Sequence, residues 1–155
     1  MISVYSDSDE QTEVAARKLV STISKGLVIH LEGDLGAGKT TFARGFLREL
    51  GFDGAVKSPT YNIVQSYETE QFTVYHFDLY RLSDHEELEA LGIRDYFDGD
   101  AICLLEWAEK GSGLLPTPDL CVKLDYEGPG RRITFVPMSD TGHRIIDILT
   151  KINLI

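Results

Sequence analysis

Basic residues are scarce in this chain: 15 Lys and Arg stand against 25 Asp and Glu, for a formal net charge of −10. A protein that grips nucleic acid by itself needs a basic face to neutralise phosphates, so this balance argues against that class. Cysteine is limited to Cys103 and Cys121, both in apolar strand-like runs and without metal-ligand spacing. Buried, reduced thiols are therefore expected. No stretch approaches the ~18 apolar residues of a membrane span. Residues 1–10 are acidic with no apolar run and are not expected to act as a signal peptide. Repeats, low-complexity tracts and linkers are also missing. The expectation is a soluble, cytoplasmic chain. With 43% hydrophobic residues among 155, it should form one domain, 1–155, around a single core.

What is present is Gly33-Asp34-Leu35-Gly36-Ala37-Gly38-Lys39-Thr40, a complete G-x-x-x-x-G-K-S/T phosphate-binding loop. An apolar strand candidate, residues 27–32, precedes it. Thr41 to Leu50 follows with helical spacing (Phe42, Phe46, Leu50) and stops at Gly51. Strand, glycine-rich turn and helix start together aim backbone N–H groups and the positive helix end at one anion. In such a loop Lys39 reaches the β- and γ-phosphates and the Thr40 hydroxyl binds Mg²⁺. A nucleoside triphosphate is the expected ligand.

The remaining elements follow from periodicity. A helix is expected over Asp9 to Ser24, with Ala16, Val20 and Ile23 on one face and Gly26 past its end. Residues 52–59 read as a loop. Tyr61 to Glu68 and Phe72 to Asp78 read as a strand pair across Thr69-Glu70-Gln71. Ser83-x-x-Glu86 reads as a capping box opening a short helix that ends at Gly92. Ala101 to Glu106 is a compact apolar run, the pattern of a buried central strand. Leu120 to Tyr126 and Arg132 to Pro137 flank Glu127-Gly128-Pro129-Gly130 as a hairpin, and Thr141 to Ile152 closes as an amphipathic helix. The sum is a three-layer α/β P-loop domain whose partly parallel sheet carries antiparallel additions.

Two strands end in a carboxylate, at Asp78 and Glu106. In a phosphate-loop architecture the metal-side carboxylate projects from a core strand beside the loop. Glu106 follows the more continuous apolar run and is assigned to Mg²⁺. Asp78 is the candidate for the attacking water or the metal shell, the alternative for either carboxylate being an ordinary solvated strand end. Lys57-Ser58-Pro59-Thr60-Tyr61 lies where nucleotide switches place a sensing threonine, so Thr60 either meets the γ-phosphate region or belongs to a plain Ser-Pro turn. Arg81, Arg94 and Lys110 either neutralise phosphate, meet a partner or solvate the surface. Trp107 either stacks on a base or fills the core, and the core is preferred.

Taken in order, residues 33–41, Val56-Lys57-Ser58-Pro59-Thr60-Tyr61, His76-Phe77-Asp78-Leu79-Tyr80-Arg81-Leu82, Glu86-Glu87-Leu88-Glu89, Gly92-Ile93-Arg94-Asp95-Tyr96-Phe97 and Leu105-Glu106-Trp107 closely resemble the bacterial TsaE (YjeE) family. That family is the P-loop ATPase of tRNA threonylcarbamoyladenosine synthesis, and the resemblance spans roughly residues 9 to 137. It implies ATP on Gly33, Asp34, Leu35, Gly36, Ala37, Gly38, Lys39, Thr40 and Thr41, with Mg²⁺ on Thr40 and Glu106. Asp78 and Thr60 would lie by the γ-phosphate, and Lys39, Asp78, Glu106 and Thr60 would form the catalytic set. Glu10 to Thr12 would approach the adenine, and Trp107 and Arg131 would lie near the nucleotide. It also implies partners: TsaD, which transfers the threonylcarbamoyl group to the adenosine just 3′ of the anticodon, and its pseudo-enzyme companion TsaB. ATP hydrolysis would reset that assembly, slowly alone and faster with partners, and tRNA would be met only through the complex. Lys57, Arg81, Glu87 and Arg94 are the candidate partner-binding residues.

Two other classes use such a loop. A small-molecule kinase needs an acceptor pocket and an arginine-bearing lid, and no clear lid segment is visible. A GTP switch carries N-K-x-D, which is absent, and Asp78-Leu79-Tyr80-Arg81 lacks the glycine of D-x-x-G.

Overall fold

The computed structural model describes residues 1–59 and 61–152. In chain order the elements are β1 (Ile2–Ser6), α1 (Asp9–Val20), β2 (Leu27–Glu32), α2 (Lys39–Glu49), β3 (Val64–Glu68), β4 (Thr73–Asp78) and α3 (His85–Ala90). A 3₁₀ turn at Ile93–Tyr96, β5 (Ile102–Glu106) and a second 3₁₀ turn at Ala108–Gly111 follow. The chain ends with β6 (Leu120–Glu127), β7 (Gly130–Pro137) and α4 (Asp140–Lys151). The strands form one sheet in the order β1-β7-β6-β2-β5-β4-β3. Its centre, β6-β2-β5-β4, is parallel, while β1, β7 and β3 are added antiparallel. This is a P-loop NTPase fold, with the partly parallel sheet and antiparallel additions that the sequence predicts.

Side-chain alternation divides the core. Ile102 and Leu104 of β5 join Leu19, Phe42, Phe46 and Leu149 in a large cluster under α1, α2 and α4. Cys103 and Leu105 point the other way and pack with Phe77, Leu88 and Ile93 under α3 and the first 3₁₀ turn. A strand covered on both faces must be apolar at every position, which is why residues 102–105 form an unbroken run. The three layers expected from the sequence are therefore present, the second helical layer being thin.

Several boundaries differ from expectation. The stretch at residues 1–10 contains β1, which pairs with β7 from Ile2↔Phe135 to Ser6↔Arg131. Ile2 and Val4 pack on the large core cluster, and this two-residue alternation is hidden among polar neighbours. Helix α1 ends at Val20 rather than Ser24, because the Ser21 and Thr22 hydroxyls donate to the Lys18 and Leu19 carbonyls and compete with the helical ladder. Residues 61 and 62 form a turn instead of strand, with the amides of Asn62 and Ile63 both donating to the Pro59 carbonyl. The cap of α3 is Asp84, which accepts from the Glu87 amide, while Glu87 Oε1 accepts from Ser83 N at 3.0 Å. The capping pair is thus one residue later than Ser83 and Glu86. The hairpin loop shrinks to Gly128-Pro129, since Glu127 and Gly130 are already paired.

Candidate nucleotide site

The site begins with β2, whose last residue, Glu32, hands the chain to the phosphate loop. Gly33 and Gly38 are two of the loop positions that favour glycine. A Cβ on Gly33 would sit 2.6 Å from the Leu124 carbonyl oxygen, and Gly38 has φ +106 at the N-cap of α2. No side chain caps that helix, so its first-turn amides remain available to an anion. Lys39 is 6% exposed. Its ammonium donates to the Gly33 carbonyl and, at 3.3 Å, to the Asp34 carbonyl. It also lies 4.5 Å from the centre of the Trp107 ring.

Beside the loop opens a cavity of about 400 Å³ lined by Lys39, Thr40, Asp78, Arg81, Glu106 and Trp107, among others. Parallel register brings the carboxylates here: Glu106 pairs with Leu31 on β2 and with Asp78 on β4. Ligands in open α/β sheets collect at this carboxyl edge. Asp78 and Glu106 are 4% and 3% exposed, so each needs partners. Asp78 accepts from Ser58 Oγ at 2.9 Å through Oδ2 and from Tyr80 N at 3.0 Å through Oδ1. Glu106 Oε2 lies 2.6 Å from Nε2 of His76, a fully buried residue. The half-buried ring of Trp107, at φ +57, packs on the smaller core cluster, as preferred, and also lines the cavity.

A second cavity, about 340 Å³, lies on the other side of the loop and shares Gly36, Gly38 and Thr41 with the first. Ser6, Thr12 and Arg131 line it too, together with the carboxylates of Asp7 and Asp9, among others. Thr12 is buried and exchanges a 2.7 Å hydrogen bond with Ser6. Arg131 donates to the carbonyls of Gly36 and Ala37 and lies 4.2 Å from the Tyr126 ring centre. Tyr126 in turn donates to the Leu35 carbonyl. Of the expected contacts at the start of α1, Thr12 lines this cavity, whereas Glu10 is exposed and is not among its walls.

A loop of this form on a sheet edge carrying two buried carboxylates restricts the possible relatives, and comparison with known proteins narrows them further. The family model for "Threonylcarbamoyl adenosine biosynthesis protein TsaE" matches residues 6–133. This chain belongs to the TsaE family. The tRNA threonylcarbamoyladenosine biosynthesis protein TsaE of Haemophilus influenzae is 52% identical over 122 residues, covering 79% of this chain and 77% of that protein. The Bacillus subtilis protein of the same name is 38% identical over 143 residues, covering 92% and 89%. A crystal structure of Bacillus subtilis YdiB superimposes with a TM-score of 0.85 and 31% identity, covering 98% of this chain and 95% of that one.

Other expected residues of this TsaE-family chain are scattered. Arg81 lines the first cavity, its guanidinium 4.5 Å from the ring centre of exposed Tyr61. Lys57 is exposed, Glu87 is half-buried in the α3 cap, and exposed Arg94 sits on the 3₁₀ turn outside the cavity walls. Lys110 donates to the Tyr80 carbonyl. Thr60 lies outside the described residues. Sequence reasoning missed Ser6, Ser58, His76 and Tyr126. The block His76-Phe77-Asp78 held a signal for one of them, because a histidine two residues before a strand-end carboxylate shares its face.

Two features beside the loop do not resemble a phosphate site. A recess of about 650 Å³ is lined by Glu32, Asp34, Glu109, Lys123 and Asp125, whose excess of carboxylates would repel phosphate. Deeper on that face, His30, Glu32 and Cys121 place ligand atoms within 4.8 Å of one another, a cross-strand cluster with no local spacing in sequence. Burial pushes the Cys121 thiol up to about 11, helped by the charge and hydrogen bond of Glu32. Burial also holds the His30 imidazole below its usual range, against the pull of Glu32 and Glu109. The thiol is thus a protonated donor. Both cysteines are free and buried, as expected.

Proposed function

We propose that this chain is a Mg²⁺-dependent ATPase that supports formation of threonylcarbamoyl adenosine on tRNA, acting on the TsaB–TsaD pair rather than on tRNA directly. One observation carries the enzymatic part. Lys39, Thr40, Asp78 and Glu106 line one cavity at the carboxyl edge of the sheet, although they come from three separate parts of the chain. The oxygens of Thr40 and Glu106 are the hard donors that Mg²⁺ takes alongside substrate phosphates. When bound there, the ion would neutralise charge on the β- and γ-phosphates.

The chain's own groups would do the rest. The α2 amides and Lys39 would hold the phosphates, and Asp78, fixed through both oxygens, would orient the attacking water. The Ser6–Thr12–Arg131 cavity would take the base. In this reading Lys57, Arg81, Glu87 and Arg94 would face the partners, in the cytoplasm, and turnover alone would be slow. Support for the partnership comes from the family and from the names of the relatives.

The experiment is phosphate release from ATP with and without the purified TsaB–TsaD pair. Slow Mg²⁺-dependent release that rises with the pair supports the reading. Release that requires a small-molecule acceptor would replace it with a kinase.

A further inference from the structure

We infer that His76 is a positioning residue for the metal-side carboxylate, an inference that rests on the assignment of Glu106 to Mg²⁺. His76 stands two residues before the end of β4, on the same face as Asp78, with its imidazole fully buried. Its Nε2 lies 2.6 Å from Glu106 Oε2. A carboxylate can only accept, so Nε2 carries the proton and donates. Nδ1 is buried without a hydrogen-bond partner among the described residues. Nδ1 offers no second contact, so the hydrogen bond to Glu106 is the ring's one polar anchor among the described residues.

This geometry has a chemical consequence. Glu106 is itself nearly buried and lies in register beside the carboxylate of Asp78. Left alone, its carboxylate would be free to rotate. The His76 N–H occupies one oxygen and fixes the plane of the group. Oε1 is then the oxygen available to a cation in the cavity that Glu106 lines. Outer hydrogen bonds of this kind orient metal ligands, and their loss costs about 10–100-fold in metal affinity.

The test uses His76→Leu, which keeps bulk and removes the donor, and His76→Gln, which restores a side-chain N–H. Mn²⁺ binding to the ADP-saturated protein is read from the free-Mn²⁺ paramagnetic signal, and the Mg²⁺ half-saturation of ATP hydrolysis is measured in parallel. Leu should weaken Mn²⁺ binding and raise the Mg²⁺ half-saturation by about tenfold or more, with metal-free ADP affinity unchanged, and Gln should recover most of that loss. If Leu binds Mn²⁺ like the wild type, or Gln is as weak as Leu, the inference is overturned. Should Leu fail to fold, His76→Asn, polar but too short to reach, takes its place against Gln under the same criteria. A purely packing role would lower the melting temperature and leave the metal readouts alone. If the wild type hydrolyses no ATP, the proposed function fails, yet Mn²⁺ binding to the ADP complex still decides the role of His76.

Discussion

Asp78 and Glu106 are register partners at the carboxyl ends of adjacent parallel strands, one held by Ser58 and the Tyr80 amide, the other by His76. Two buried carboxylates side by side are costly unless a cation or donors offset them. Their different donors point to different tasks. Glu106→Gln should keep ATP affinity while hydrolysis falls about 100-fold, the scale of losing one charge-stabilising group in a preorganised site. Asp78→Asn should also slow hydrolysis but leave Mg²⁺ half-saturation unchanged. Single-turnover assays across a Mg²⁺ series check both, and the opposite pattern would exchange the two roles.

Lys39 donates to two loop carbonyls, Gly33 and Asp34, from a nearly buried position beside Trp107. Lys39→Ala removes a charge-assisted phosphate contact and leaves those carbonyls with one donor fewer. A loss of about 1.5–3 kcal/mol, roughly 10–100-fold in ATP affinity, is expected. Calorimetry with ATP measures it. Unchanged binding would remove the loop from the nucleotide site.

Gly45 lies where α2 crosses α1, and a Cβ there would meet Glu13 Cα at 2.7 Å and the Glu13 carbonyl oxygen at 2.8 Å. Helix propensity alone favours alanine by about 1 kcal/mol. Overpacking against backbone costs about 1–3 kcal/mol and should win, because no flexible side chain is there to yield. Gly45→Ala is therefore expected to lower the midpoint of urea unfolding. A raised midpoint would show that the two helices can separate at little cost.

The parts of this molecule that sequence pattern revealed are those governed by one local rule. The loop motif, the apolar run of β5 and the helical spacing of α2 each carry their own signal over a few residues. The edge strand β1 did not, because half of its positions are polar and its pairing partner, β7, lies about 130 residues away. The same holds for the site. Lys39, Thr40, Asp78 and Glu106 were legible from motif and strand-end position. Ser58 and Tyr126 act through contacts distant in sequence, from Ser58 to Asp78 and from Tyr126 to Leu35, while Ser6 bonds to Thr12 only six residues on. The distant contacts have no sequence signature until the sheet order is known. Trp107 combines the two alternatives that its sequence position leaves open, packing on the smaller core cluster while lining the cavity.

Burial pushes the Cys103 thiol up to about 12, with Asp98 adding to it, and the Cys121 thiol up to about 11. The folded chain therefore keeps these protons at pH values where the unfolded chain, with thiols near 9, has lost them. Stability contributed by the two thiols is complete below about pH 9 and falls as pH rises from there toward 11 to 12. Native protein at pH 8 should resist iodoacetamide, with both sites labelled after denaturation. Cys103→Ala should flatten the alkaline fall in melting temperature between pH 9 and 11. Rapid labelling of the native protein at pH 8 would show that the thiols are reachable.

Tyr61 is 83% exposed, with Arg81 packed on its ring at the mouth of the first cavity. An aromatic paired with arginine at a cavity mouth has the composition of an interface anchor. Arg94 is also exposed and stands outside the cavity walls. Glu87 is a poorer probe than either, because its carboxylate already closes the α3 cap on Ser83 and its replacement would loosen that helix. Tyr61→Ala and Arg94→Ala should each leave ATP affinity intact and weaken binding to the TsaB–TsaD pair by about tenfold, the cost of one anchor worth 1–2 kcal/mol. Binding is measured by interferometry in the presence of ATP, and stimulation of hydrolysis is followed over a titration of the pair. If the wild type is stimulated and both variants match it, the partners dock on another face of the sheet; if the wild type is not stimulated, the partner assignment is withdrawn.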